Sequence, residues 1–340
     1  MSHDEAGAPP ALGRTTRKRA LDVLRIGFLV LVLVAVGIAL WRNWAEVRGD
    51  LGRIGPVTLL AATGLAMLSP FFTVLGWRVL LADLGSRLHI APASGVFFVG
   101  QLGKYLPGSV WSVVVQTDMA HRLGVPRRRT AIVGLLTIAL SALTGMILGL
   151  PALPVLLTRG DAVVPWWVLL AIIAVLGVLL WPPVLNLGIR TMLRLLRRDP
   201  LEHDLTHAAV GLSSLWFATS WLVGGLSVWV MARNLAPDDA DASRLLLVAV
   251  SGYLLAAGIG MFSIVVPAGV GVRDVVLVVL LATTMPVSAA TAVVVVARFL
   301  TVLADVVWAA IGWLWAKTHH LLPSSPGTAG PDPTPSPQGD

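Results

Sequence analysis

The sequence predicts an all-α protein, a polytopic transmembrane helical bundle with two broken, re-entrant helical hairpins. Three observations carry that expectation. Hydrophobic residues make up 56% of the 340 and charged residues 13%, with a mean hydropathy of +0.83, more apolar side chain than a water-soluble domain of this length hides. Apolar runs recur at the length of about 20 residues that crosses a bilayer core. Many end in tryptophan (Trp41, Trp44, Trp77, Trp166, Trp167, Trp181, Trp229, Trp313 and Trp315), a side chain that gathers at the membrane–water interface. Two apolar stretches, 100–111 and 266–274, are interrupted by Pro, Gly and charge. Lipid cannot satisfy the backbone groups that such breaks expose, so broken backbone at membrane depth has to be buried in protein or line a wet cavity.

Six runs read as full spans: 24–44, 57–77, 130–150, 165–181, 208–232 and 287–316. The first follows Arg14, Arg17, Lys18, Arg19 and Arg25 as a signal peptide's apolar core would. Trp41-Arg42-Asn43-Trp44 comes next instead of a small-residue cleavage site, which predicts an uncleaved span. Residues 1–20 form a basic polar tail and 321–340 a Pro-rich one; neither can bury a core, so both are expected to be disordered around a transmembrane domain over 21–320. The chain has no cysteine, which excludes disulfides, thiolate catalysis and cysteine metal sites. The formal net charge of +7 reads as topology and not as nucleic-acid binding. Arg and Lys crowd the N-terminus and the loops 78–91, 121–129 and 182–207, and are sparser in 42–56, 151–164 and 233–244. The positive-inside rule then puts both termini in the cytoplasm and the chain in the cytoplasmic membrane.

Two regions remain. Residues 92–120 break at Pro107-Gly108 and are flanked on both sides by basic loops, so the segment is expected to enter and leave on one side. Residues 245–285 break at 267–271, return as a short helix over 275–282 and follow the acidic loop 237–241, which predicts a hairpin from the opposite face. The alternative lets 245–266 cross fully. Span 57–77, the first hairpin and span 130–150 form one unit; span 208–232, the second hairpin and span 287–316 form another, which would be an inverted repeat. Inverted repeats with broken helices near the midplane are a transporter architecture.

The first break offers Gln101, Lys104 and Tyr105, which share one helix face at i, i+3 and i+4, then Ser109 near a new helix start, Trp111 and Gln116. An amide, an ammonium and a phenol on one face suit a phosphate or carboxylate, and a helix N-terminus attracts anions. The alternative is a snorkelling Lys104 beside a Pro-Gly turn between packed helices. The second break offers Pro267, Gly269 and Gly271, then Arg273 and Asp274 opening a helix. Asp274 has a purely structural role open to it, as an acid at a helix N-terminus. Arg298 and Asp305 lie seven apart on the last span, two turns along one face. Arg273, Asp274, Arg298 and Asp305 are expected to form a buried network that either locks the hairpin to the span or binds a headgroup. His203 and His207 have metal-like spacing with Glu202 adjacent, but are read as solvated histidines in a cytoplasmic loop. No Walker-type loop, GxSxG or HExxH is present.

At these elements the chain resembles the lysylphosphatidylglycerol synthase transmembrane region, a flippase-like membrane family. Pro267-Ala268-Gly269-Val270-Gly271-Val272-Arg273-Asp274, with Ala297-Arg298 and Asp305 beyond it, is similar to the family's Pro-x-Gly-x-Gly-x-Arg-Glu run followed by an arginine and an aspartate on the next helix. Asp274 stands where glutamate is usual. Gly103-Lys104-Tyr105-Leu106-Pro107-Gly108-Ser109-Val110-Trp111, with Gly124-Val125-Pro126 after it, resembles a variant of the first element. The resemblance covers about residues 20–320 and implies a lipid-handling domain. In fused members this domain translocates aminoacylated phosphatidylglycerol made by a cytoplasmic synthase domain, for which a 340-residue chain leaves no room.

The leading expectation is therefore a flippase holding an anionic or aminoacylated phospholipid, or another lipid-phosphate, in a midplane cavity. Lys104, Arg273 and Arg298 would meet the phosphate, Gln101, Tyr105 and Trp111 would shape the cavity, and the glycines would let backbone approach. No cofactor, metal or catalytic residue is expected. A second expectation is a non-transporting subunit that presents lipid to a separate transferase. A third, an intramembrane enzyme using Asp274 and Asp305, lacks an evident acid–base constellation.

Overall fold

The computed structural model describes residues 49, 52–105, 111–157, 165–261 and 271–319. The expected first span and both tails lie outside the described residues. Within them the protein is all-helical. Helix α1 is Pro56–Asp83, α2 Ile90–Gln101, α3 Trp111–Arg122, α4 Arg127–Gly149, α5 Leu153–Leu157, α6 Trp166–Leu179, α7 Pro182–Leu195, α8 His207–Leu235, α9 Ala242–Met261, α10 Val272–Leu281 and α11 Val287–Thr318. A 3-10 turn, Leu150–Ala152, carries α4 into α5. Five runs have the length and apolar composition of a span: Pro56–Asp83, Arg127–Leu157, His207–Leu235, Ala242–Met261 and Val287–Thr318.

The helix ends follow local chemistry. α1 begins after Gly55, whose φ of 72° places it in the left-handed region, with Pro56 in the first turn. At the start of α8 the Thr206 hydroxyl accepts from the Ala209 N–H at 3.1 Å, and Asp83 at the end of α1 accepts from the Thr206 N–H and hydroxyl, each at 2.9 Å. α9 starts where the Asp241 carboxylate accepts from the Ser243 and Arg244 N–H groups at 2.8 and 3.2 Å. Those bonds, that from Arg244 foremost, hold its carboxyl below the usual carboxylate range.

Antiparallel α1 and α8 form the spine. Polar side chains tie them at successive levels: Asn234 Nδ2 donates to Ile54 O at 3.1 Å, Ser227 to Ala62 O at 2.9 Å and Ser69 to Ser220 O at 2.9 Å, while Thr73 and Ser220 share a hydroxyl contact at 2.8 Å. Small residues and hydroxyls are what joins helices where lipid removes the hydrophobic drive. Trp221 adds a third helix by donating to Ser141 O at 2.8 Å.

The two broken regions fold back on themselves. α2 and α3 have 12 residues each, about 18 Å of helix, too short for a core of about 30 Å. Their arms touch backbone to backbone. A Cβ added at Gly103 would lie 2.4 Å from the Ser112 nitrogen, and one at Gly100 2.4 Å from Gln116 Cγ. The second hairpin is lopsided: α9 has 20 residues and α10 only 10. Gly252 of α9 faces Leu280 and Leu277 of α10, so these arms also pack on each other. α9 is long enough to cross, yet its Gly258 packs on Met146, near the middle of the Arg127–Leu157 run.

Each hairpin also leans on a long helix of the other half. α2 runs antiparallel to α11, with Gly95 under the Trp315 ring and Phe98 stacked on Trp308 at 4.7 Å. In the same way α9 runs along α4, where Gly149 abuts the Leu255 backbone. Two apolar clusters result. One gathers Trp77, Phe97, Leu140 and Phe217 around the first hairpin; the other gathers Met231, Leu254, Leu280 and Val293 around the second.

The expected span over 165–181 differs from the structure. α6 has 14 residues, about 21 Å, and the chain bends by 56° into α7. Pro182-Pro183 causes the bend, because the residue before a proline is driven out of the helical region; Trp181 sits at ψ 125°. On α6 only Leu176 is buried, so this apolar helix meets lipid on nearly every side.

Candidate functional site

The site grows from the tip of the first hairpin. α2 ends at Gln101 and tightens into a 3-10 turn, Leu102–Tyr105. This turn brings Lys104 Nζ to 2.7 Å from Asp305 Oδ2. Asp305 lies near the middle of α11, the longest helix, and its side chain is 5% exposed; that of Lys104 is 33% exposed. The carboxylate is thus inside and the ammonium covers it, one face open. A pair so placed holds the hairpin tip against the long helix, and its ammonium remains within reach of an anion.

Aromatic rings seat the pair. Trp308, one turn along α11, stacks on Phe98 and on Phe71 with centroids 4.7 and 6.2 Å apart and donates from Nε1 to Met67 O at 2.7 Å. Its hydrogen bond to the broad face of α1 explains how a tryptophan is tolerated far from the interfacial belt. Gln116 is buried behind Gly100, and its Oε1 has no hydrogen-bond partner among the described residues. Gln101 closes α2 half-buried, and Trp111 opens α3 with 46% of its surface exposed. Tyr105 ends the 3-10 turn. Pro107, Gly108 and Ser109 lie outside the described residues.

The second break divides the expected four-charge network. Gly271, at φ 88°, opens α10, and its N–H donates to Asp274 Oδ2 at 3.0 Å. Asp274 is thereby engaged with its own helix start, the structural alternative weighed above. Arg273 instead lies over the Tyr253 ring of α9, 4.6 Å from the centroid, a cation–π contact across the hairpin. Arg298 is half-buried on α11, about 10 Å along the axis from Asp305. Pro267 and Gly269 lie outside the described residues.

A cavity of about 40 Å³ joins the two groups. Ser69, Pro70, Ser227, Tyr253, Thr301 and Ala304 line it, so it runs from the ring under Arg273 to the residue before Asp305. Its lining is part polar and part apolar and leaves room for water, but the volume is far below the ~300 Å³ of a small-ligand site. The headgroup-sized cavity expected at the midplane is not open here among the described residues.

Sequence reasoning missed Tyr253 and Trp308 as members of this region. The chain has only two tyrosines, Tyr105 and Tyr253, one at each break; that scarcity was the available signal. His203 and His207 do not share a helix, since α8 begins at His207 and residues 199–206 form a loop. Glu202 beside them receives Arg129 Nη2 at 2.5 Å and Arg128 Nη2 at 3.3 Å. The hydrogen bond from Arg129, more than the charges, holds the Glu202 carboxyl below the usual range. A carboxyl depressed on folding stabilises above its unfolded pKa of about 4.3 and loses that contribution as pH falls through the lowered value. Hydrogen exchange of 199–206, corrected for intrinsic rate, is expected to accelerate below about pH 4, and Glu202→Gln to show the fast exchange already at pH 7. Equal protection at pH 7 in both proteins would remove this staple.

Long apolar helices, lipid-facing α6 and a first hairpin whose arms are too short to cross define a multi-pass helical membrane protein. The chain belongs to the family described as the lysylphosphatidylglycerol synthase TM region, whose family model matches residues 25–309. That match concerns the transmembrane region and not a catalytic domain. Among curated proteins no match was found.

Proposed function

We propose that this protein handles membrane lipids in the cytoplasmic membrane, as a flippase or translocase for an anionic or aminoacylated phospholipid or another lipid-phosphate. The observation that carries this reading is the Lys104–Asp305 pair, 2.7 Å apart and joining a hairpin tip to the middle of the longest helix. A lipid phosphate entering from the open face of Lys104 competes with Asp305 for the ammonium. Exchange of one anion for the other detaches the hairpin tip from α11 and makes room that the 40 Å³ cavity lacks. Arg273 on its Tyr253 platform and Arg298 then offer further cationic contacts along the same path, with Gln101, Tyr105, Trp111 and the backbone at Pro107, Gly108, Ser109, Pro267, Gly269 and Gly271 shaping it.

The way the helices pair supports two units related by inversion. α1 packs on α8, α2 on α11 as α9 on α4, and α3 on α4 as α10 on α11. Two breaks that met at mid-bundle from opposite ends would supply what alternating access about a fixed site needs.

Liposomes with headgroup-labelled lipids test the proposal. The wild-type chain should move at least one candidate lipid above background. Lys104→Ala and the neutral pair Lys104→Gln/Asp305→Asn should not. Equal movement by all three proteins across the candidate lipids would sink it. The small cavity also fits a second reading, a non-transporting subunit that presents lipid to a separate transferase; a stoichiometric enzyme co-purifying with a chain that transports nothing would favour it.

A further inference from the structure

We propose that α7 is an interfacial helix whose arginines bind the headgroups of anionic phospholipids at the bilayer surface. This does not rest on the transport reading. Helix α7, Pro182–Leu195, departs by 56° from lipid-facing α6, so it cannot continue across the membrane along the same axis. One stripe, Ile189 and Leu193, is buried in the cluster around the first hairpin. Beyond that stripe the helix carries uncovered leucines: Leu187 is 60% exposed and Leu195 83%. Basic residues gather at its C-terminal end. Arg194 lies in the last turn, seven residues from Leu187 and on the same face, and Arg197 and Arg198 follow the helix, all exposed.

The buried stripe, the uncovered leucines and the C-terminal arginines assign three surroundings. The buried stripe meets protein. The uncovered leucines stand on a helix fused to a lipid-facing one, and acyl chains are the apolar phase in reach. The arginines lie beside those leucines, one turn on, at the level where headgroup phosphates sit. A helix with this division, rich in Arg on its polar side, lies in the plane of the interface. Arg190, by contrast, is paired with Asp204 and adds little net charge. Arg194, Arg197 and Arg198 are in none of the ion pairs among the described residues. Their charge is complementary to an anionic leaflet, and each arginine near such a surface strengthens the attraction by roughly fivefold. The first turn of α4 carries Arg127, Arg128 and Arg129, and Arg128 donates to Asp199 O in the loop after α7, on the side that the positive-inside rule makes cytoplasmic.

The chain has no cysteine, so Leu195→Cys gives one attachment point for a fluorophore on the full-length protein. The labelled protein is reconstituted in vesicles of phosphatidylcholine and phosphatidylglycerol, with bromine on the acyl chains of one lipid at a time. Brominated phosphatidylglycerol is expected to quench about fivefold better than brominated phosphatidylcholine at equal mole fraction. The preference should fall below about twofold in 1 M salt, where screening shortens to ~3 Å. It should fall likewise in Arg194→Gln/Arg197→Gln/Arg198→Gln and persist in the corresponding triple Lys variant. Equal quenching by the two lipids in low salt overturns the proposal, as does no quenching by either, which would place α7 in water. The salt comparison uses the wild-type arginines and stands even where the Gln variant fails to fold.

Discussion

Lys104→Ala is expected to destabilise the protein by about 2–4 kcal/mol, because it takes the 2.7 Å partner from a carboxylate that is almost fully buried. Asp305→Ala should cost less, about 1–2 kcal/mol. The ammonium it leaves behind is one-third exposed, and a lysine stem can swing its charge toward water. The double variant should be more stable than Lys104→Ala alone, since it removes the buried charge together with its partner. Thermal unfolding in detergent, followed by the fluorescence of the 13 tryptophans, orders the three. If Asp305→Ala proved the most damaging, the carboxylate would be the exposed member and the picture of a covering ammonium would be wrong.

Gly103→Ala should open the first hairpin. The added Cβ would sit 2.4 Å from the Ser112 nitrogen and 2.7 Å from its Cα, and backbone cannot step aside as a side-chain end can. The arms must separate or the turn must unwind, at a cost of about 1–3 kcal/mol for overpacking, and Lys104, the next residue, moves with them. Transport or lipid retention should fall together with stability. Gly177 supplies the comparison: it lies on α6 with nothing within 4 Å of an added Cβ, so Gly177→Ala should be neutral or stabilising by up to about 1 kcal/mol. Similar unfolding temperatures for the two alanine variants would contradict the tight contact at Gly103.

Four of the expected spans, 57–77, 130–150, 208–232 and 287–316, and the break of the first hairpin were legible because membrane helices advertise themselves: apolar runs about 20 residues long mark what crosses, and Pro and Gly with charge mark a break. The second region, 245–285, reads either way, because α9 has the length of a full span. The bend after α6 was written in Pro182-Pro183, but the apolar run continued to Trp181 and masked how short the helix is. α7 was equally readable in the i, i+4 spacing of Arg190 and Arg194 beside that of Ile189 and Leu193, and went unread because its arginines made the region look like a loop. The pairing within the site was not legible. Lys104 and Asp305 were both candidates, yet nothing local joins residues so far apart in the chain; α2 lying along α11 does. Spacing alone grouped Asp305 with Arg273 and Asp274, whereas the fold gives each a nearer partner: Lys104 for Asp305, the Tyr253 ring for Arg273 and the Gly271 N–H for Asp274.

Native mass spectrometry of lipid retained by the purified protein tests the central claim, that Lys104 meets a lipid phosphate, most directly. The wild-type chain should carry a phosphate-bearing lipid that Lys104→Gln/Asp305→Asn loses, while Arg194→Gln/Arg197→Gln/Arg198→Gln keeps it. The same lipid at the same occupancy in the wild type and in the neutral pair would contradict the claim.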